Sequence, residues 1–220
     1  MVESSCIRLN ARCARCFVRH REEGRLIVFE GSPCAGKTTA LRSITSRRGG
    51  IVIPELDHTV DAHLLVPAQI QAWYLATEIN RQFEIRVGLK RSLHVFQDRN
   101  VLGTLAFSYA RSKLFRSSHP FAKVVKRLLN EADGLLVRPD ILIALYVDPA
   151  VGLERRRTLS GEPLDPIWAD MTFLEHHAEF YHSVVPTFPA DTVAVIDTTD
   201  LKPEDAALAV EQVIQRAIVR

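Results

Sequence analysis

The 220-residue chain is 47% hydrophobic and 25% charged, which supports one substantial globular domain and leaves too little chain for two. Its formal net charge of +2 excludes attraction to a polyanion through bulk charge, so no nucleic-acid partner is expected. No apolar run approaches the ~20 residues that span a bilayer, and the N-terminus lacks the apolar core of a secretory signal. A cytoplasmic protein with no membrane partner is the expectation.

Residues 1–24 are basic and rich in cysteine. Cys6, Cys13, Cys16 and His20 have the side chains of a four-ligand zinc site. A lone C-x-x-C among Arg8, Arg12, Arg15, Arg19 and Arg21 reads instead as a basic extension without fixed structure. The folded unit is then expected over 25–220. From Arg25 onward, short apolar runs alternate with longer helical stretches, the rhythm of an α/β fold around a parallel sheet. Strands are predicted over 26–30, 51–53, 93–97, 141–147 and 192–196. The helix over 37–48 is stopped by Gly49-Gly50, and Pro67 opens a long one reaching about residue 90. Further helices are predicted over 103–114, 122–132, 170–184 and 203–219. Asp148-Pro149 starts another, with Asp as N-cap and Pro at the first helical position. Residues 160–166 (SGEPLDP) are rich in turn formers and read as an exposed loop.

The stretch GSPCAGKTT at 31–39 fits G-x-x-x-x-G-K-[ST] and joins a predicted strand to a predicted helix, the context that motif requires. Gly31, Ser32, Pro33, Cys34, Ala35 and Gly36 can turn backbone N–H groups inward around phosphate oxygens, and the helix N-terminus adds positive charge. Lys37 then reaches the β- and γ-phosphates, the Thr38 hydroxyl ligates Mg²⁺, and Thr39 completes the loop. A nucleoside triphosphate with Mg²⁺ is the expected ligand. Cys34 lies beside a helix N-terminus, where a thiolate is favoured.

Two predicted strands end in acids. Asp98, followed by Arg99, can hold Mg²⁺ or take a proton while the guanidinium clamps phosphate; Asp148 is better explained as a helix cap. Arg155, Arg156 and Arg157 lead into the 160–166 loop. An arginine brought over a transferring phosphoryl group is worth roughly 10³–10⁵ in rate, whereas Arg156 by itself reads as a solvated position. No guanine-selecting N-K-x-D is present.

With these residues in place the sequence resembles the thymidylate kinase and deoxynucleoside kinase group of P-loop kinases. The likeness rests on FEGSPCAGKTT at 29–39, DRNVLGTLAFSYA at 98–110 and VDPAVGLERRR at 147–157. FLEHHAEFYHSV at 173–184 and VIDTT at 195–199 extend it. The resemblance implies a P-loop NTPase three-layer fold with a five-stranded parallel sheet and a helical lid. It further implies an ATP–Mg²⁺ donor, and a homodimer is an inherited expectation. Asp98-Arg99 corresponds to the group's acidic-Arg pair, and Arg155 and Arg157 fall on its L-x-R-x-R lid pattern after Leu153. Pro33 stands where thymidylate kinases carry an acid that contacts the acceptor sugar. Ile53-Pro54-Glu55-Leu56 replaces their Arg-Glu-Pro-Gly. A glutamate at that strand end looks more like the deoxynucleoside kinases, where it is the base toward the 5′-hydroxyl. Glu55 and Asp98 therefore compete as general base.

The long helix from Pro67 would line the acceptor pocket. Gln71, Trp73, Tyr74, Arg81 and Arg86 are its polar or aromatic candidates, although Trp73 and Tyr74 at helical spacing equally suit a core. Arg81 is the expected phosphate ligand if the acceptor is a monophosphate. Phosphoryl transfer to a nucleoside or nucleoside monophosphate is the expected function. Its alternatives are transfer to another hydroxylated metabolite, or an ATP-sensing module without chemistry.

Overall fold

The computed structural model describes residues 17–19, 23–56, 67–117, 119–131, 134–160 and 166–218. In chain order its elements are β1 (Phe17–Val18), β2 (Arg25–Gly31), α1 (Lys37–Arg48), β3 (Ile51–Ile53), α2 (Pro67–Arg91) and β4 (His94–Asp98). There follow α3 (Val101–Leu114), α4 (His119–Glu131), β5 (Leu136–Val137), β6 (Ile141–Tyr146) and α5 (Pro149–Ser160). The chain closes with α6 (Pro166–Ala169), α7 (Met171–Val184), β7 (Val193–Asp197) and α8 (Pro203–Ile218).

The most apolar runs become the central strands. Five parallel strands form one sheet in the order β3-β4-β2-β6-β7, as the resemblance implied. Side chains alternate across a strand, so β2 feeds two cores at once. Leu26 and Val28 pack with residues of α2, α3, α4 and α7, including Leu89, Leu105, Val125 and Phe180. Ile27 and Phe29 pack on the opposite face with Ala40, Leu41 and Ile44 of α1 and with Val210 and Ile214 of α8. All four β2 side chains are fully buried, each worth ~1.5–3 kcal/mol relative to exposure. The result is three layers, helix, sheet and helix. A third, smaller core of Leu153, Phe173 and Leu174 joins α5 to α7.

Local signals explain the helix ends. Asn100 caps α3 by accepting from Leu102 N–H at 2.8 Å, and Asp170 caps α7 by accepting from Phe173 N–H at 3.0 Å. Asp148 accepts from the N–H groups of Ala150 and Val151 at 2.9 and 3.2 Å, which occupies it as a cap. Gly49 ends α1 at a φ of 66°, a conformation that favours glycine.

Three features depart from the sequence expectation. The short helix α6 was not anticipated. Nor was a second, two-stranded sheet in which β1 pairs in parallel with β5. That pairing revises the boundary at residue 25, because Phe17 is buried in the main core and meets the Phe188 ring at 5.6 Å. The folded unit therefore includes Phe17 and Val18. A two-residue strand has too little pattern to be read from sequence. The Cys6, Cys13, Cys16 and His20 set lies outside the described residues, as do residues 161–165 of the predicted loop. Among the described residues no helix is long and apolar enough to cross a membrane.

Candidate active site

In a parallel sheet all strands end at the same edge, and here β2 lies where the chain's crossovers diverge, with β3 and β4 on one side and β6 and β7 on the other. The crevice beyond such a switch point is where open α/β folds bind ligands. The loop 31–36, which carries the phosphate-loop sequence pattern, leaves β2 at this point. Gly31 has a φ of 117°, and a Cβ there would lie 2.0 Å from the Leu145 carbonyl oxygen, so only glycine lets β2 and β6 lie together at the loop entrance. Ser32 N–H donates back to that same carbonyl at 2.9 Å. Lys37 is buried and curls over the loop, donating from Nζ to Ser32 O at 2.6 Å and Gly31 O at 3.4 Å.

Burial, reinforced by the nearby Arg99 charge, pulls the Lys37 pKa down to about 7. A phosphate chain in the loop adds negative charge and raises it again. Nucleoside triphosphate binding at pH 8 is therefore expected to take up roughly one proton, measured by calorimetry in buffers of differing ionisation enthalpy. Lys37→Met is expected to abolish that uptake.

The ends of β2 and β4 bring the remaining charges together. Phe29 pairs with Asp98 across the two strands, so Asp98 sits beside the loop. Thr38 Oγ1 donates to Asp98 Oδ2 at 2.7 Å, while Asp98 Oδ1 is buried with no protein partner. A hydroxyl and a carboxylate with one unsatisfied buried oxygen, adjoining a phosphate loop, fit the oxygen-donor preference of Mg²⁺. Arg99 is held in the left-handed region at a φ of 56°, a strained conformation for a side-chain-bearing residue that is found at functional sites. Its Nε lies 2.8 Å from Glu55 Oε1, and its Nη1 donates to Gly31 O at 3.1 Å.

Glu30 completes the cluster from inside the protein. It is fully buried, accepting from Asn100 N–H at 2.6 Å and from the Tyr181 hydroxyl at 2.7 Å. Its Oε2 lies 3.9 Å from Arg99 Nη1. Burial pushes the Glu30 carboxyl up, and Arg99 and these hydrogen bonds oppose that shift. Glu30 thus fixes Arg99 from behind while Glu55, 38% exposed at its side chain, meets it at the open side.

Solved structures with the same architecture include nucleoside and nucleotide kinases. The chain superposes on deoxyadenosine kinase from M. mycoides with a TM-score of 0.69 at 17% identity, covering 87% of this chain and 99% of that one. It superposes on thymidylate kinase from Candida albicans with a TM-score of 0.68 at 17% identity, covering 90% and 93% respectively. The deoxyadenosine kinase with bound dATP gives a TM-score of 0.63 at 17% identity, covering 86% and 98%. The chain shares the fold of these nucleoside and nucleotide kinases. No protein-family model matches it, and no curated protein matches it by sequence.

Within this kinase fold several residues lie elsewhere than the sequence suggested. Arg81, expected at the phosphate of a monophosphate acceptor, is buried and bonded to protein through Nη1 and Nη2, while its Nε has no protein partner. Nη1 meets Glu78 Oε1 at 2.6 Å, and Nη2 donates to the carbonyls of Pro54 at 2.6 Å and of Asp98 and Arg99 at 3.0 Å. It braces the strand ends that carry Glu55 and Arg99. Arg155, expected over the γ-phosphate, donates from Nη2 to the carbonyls of Thr198, Thr199 and Leu201 at 2.7, 3.0 and 3.3 Å. Thr198 in turn donates to Ala35 O at 3.2 Å, so Arg155 ties α5 to the segment that supports the loop. Arg157 points away, 60% exposed and 3.9 Å from Glu154. Arg156, expected to be solvated, instead reaches the cleft beside Ser32 and Pro33. Successive helical residues are ~100° apart, and sequence alone does not say which of three arginines faces inward.

Trp73 stacks edge-on to Tyr74 at 5.1 Å between ring centroids. Burial, then the Glu55 charge, raises the Tyr74 pKa, which places Tyr74 within electrostatic range of the base candidate. Arg86 donates to Leu135 O at 3.1 Å, so it anchors β5. The side chain of Gln71 lies outside the described residues. Glu30 and Tyr181 were missed. Glu30 had a usable signal, a charge closing an otherwise apolar strand immediately before the loop. The helix carrying Tyr181 offers none.

Cys34 is a free, half-buried thiol at a φ of 57° within the loop. An alkyl group added there would fill space at the loop. Thiol alkylation is expected to block nucleotide binding, saturating Mg·ATP to protect, and Cys34→Ser to remain active after treatment.

Proposed function

We propose that the chain is an ATP-dependent kinase whose acceptor is the hydroxyl of a nucleoside or nucleoside-like compound. The observation that carries this reading is the Glu55 carboxylate, half-exposed and 2.8 Å from Arg99 Nε, next to the Thr38–Asp98 pair and Lys37. A carboxylate at the open side of the site suits a neutral hydroxyl that gives up a proton, and repels a phosphate dianion. The engagement of Arg81 with backbone carbonyls supports the same choice.

In the reaction Glu55 accepts the hydroxyl proton as the acceptor oxygen attacks the γ-phosphorus. The new O–P bond forms while the bond to the bridging oxygen breaks, and ADP leaves with that electron pair. Lys37 and Arg99 offset charge on the phosphate oxygens. Thr38 and Asp98 would hold Mg²⁺, which supplies charge neutralisation at the β- and γ-phosphates.

The test is ADP release with Mg·ATP against a panel of nucleosides and nucleoside monophosphates. Turnover of one or more nucleosides, lost in Lys37→Ala, is the expected result. Turnover of monophosphates alone would overturn the hydroxyl assignment. ATP binding with no turnover of any acceptor, including other hydroxylated metabolites, would replace the kinase by a sensing module.

A further inference from the structure

We infer that Arg156, and neither of its arginine neighbours, is the residue that contacts the γ-phosphoryl group of the nucleotide, held ready for it by Trp168. The inference rests on the proposed triphosphate site and extends it to a residue that the lid pattern L-x-R-x-R passes over. Three observations carry it.

The first is the direction of helix α5. A Cβ on Gly152 would lie 3.2 Å from the Pro33 carbonyl oxygen and 3.1 Å from Val147 Cγ1, so α5 rests this face directly on the phosphate loop. Residues four apart share a helix face, which puts Arg156 on the loop side. Arg155 and Arg157 are turned away by the contacts described above.

The second is the cleft itself. Ser32 and Pro33 form one wall, with Gly152, Arg156, Trp168 and Leu174 around it. The Arg156 guanidinium carbon stands 5.4 Å from the centroid of the Trp168 ring. Trp168 is itself fixed by Phe107, Phe173 and His177, at centroid distances of 5.6, 5.1 and 5.7 Å. A cation–π contact orients a guanidinium through the ring face, and a phosphate competes well for it with paired N–H···O bonds.

The third is Ser32 across the cleft. Its hydroxyl oxygen is buried without a protein partner, on a residue only 4% exposed. A buried hydroxyl without a protein partner, on a residue that lines the same cleft as Arg156, is a donor that an anionic oxygen can complete. In the transfer step Arg156 and Ser32 then donate to non-bridging oxygens of the γ-phosphoryl while Glu55 takes the acceptor proton. No bond to either residue is made or broken.

The chain has two tryptophans, Trp73 and Trp168, so Trp73→Phe leaves Trp168 as the single indole reporter. In that background Mg²⁺ with β,γ-imido-ATP is expected to change the fluorescence as Arg156 moves from ring to phosphate, and ADP is not. Adding Arg156→Ala is expected to remove that response and lower affinity for the imido analogue at least tenfold, with ADP affinity retained. Arg156→Lys is expected to restore part of the difference. An intact response in Arg156→Ala, or an equal loss of ADP and analogue affinity, would overturn the inference. So would the same loss arising from Arg157→Ala and not from Arg156→Ala. These readouts use nucleotide alone, so they stand apart from any failure to find the acceptor.

Discussion

Replacing Glu55 by glutamine is expected to lower kcat by ~10²–10⁴-fold, the range that general base catalysis supplies. Affinity for ATP is expected to change little. The amide oxygen can still accept from Arg99 Nε, now 2.8 Å from the carboxylate, so the geometry survives while the proton acceptor is gone. Asp98→Asn makes the informative comparison. Asp98 is bonded to Thr38 at 2.7 Å and keeps a buried oxygen without a protein partner. Its loss should therefore appear as weakened Mg²⁺ dependence. Steady-state kinetics with varied Mg²⁺ separates the two. A Glu55→Gln enzyme with unchanged kcat, beside an inactive Asp98→Asn enzyme whose Mg²⁺ dependence is normal, would transfer the base role to Asp98.

Arg81→Met is expected to cost about 3–5 kcal/mol of stability, the usual consequence of stranding one member of a buried ion pair. For a domain of this size that is a Tm drop on the order of 10 °C. Three carbonyls lose a donor, and Glu78 loses its cation. Burial already raises the Glu78 pKa to about 7 even with Arg81 beside it, and without the arginine it rises further. A carboxyl whose folded pKa exceeds its ordinary value binds more protons folded than unfolded. Its contribution is complete below pH ~4.5 and is lost as pH rises through about 7. The Arg81→Met deficit should accordingly be smaller at pH 5 than at pH 8, which thermal melts at the two values measure. A variant with normal Tm and a raised KM for the acceptor would return Arg81 to the substrate pocket.

The contrast between these two residues shows what separates pattern from placement. Glu55 and Asp98 both close strand runs beside a phosphate loop, and in a parallel sheet every strand ends at the same edge. Their convergence was therefore legible once the strands were identified. Arg81 lies on a long helix with exposed and buried turns, and nothing in its neighbours says that its guanidinium meets three carbonyls. The same holds for Arg155, Arg156 and Arg157. Consecutive positions differ by ~100° around a helix, so a misplacement of one residue exchanges a structural brace, a cleft-lining group and a solvated side chain.

By itself the sequence determined the α/β class, the strand-to-helix loop from Gly31 to Gly36 and the strands whose ends lead into Glu55, Asp98 and Arg99. Those features are local, set by apolar period, glycine positions and strand termination. Only the tertiary structure decided the pairing of β1 with β5, the burial of Glu30 behind Arg99, the bracing role of Arg81 and the inward turn of Arg156. Each of these depends on which distant carbonyl, carboxylate or ring a side chain meets after the layers pack, information that no single stretch of chain contains.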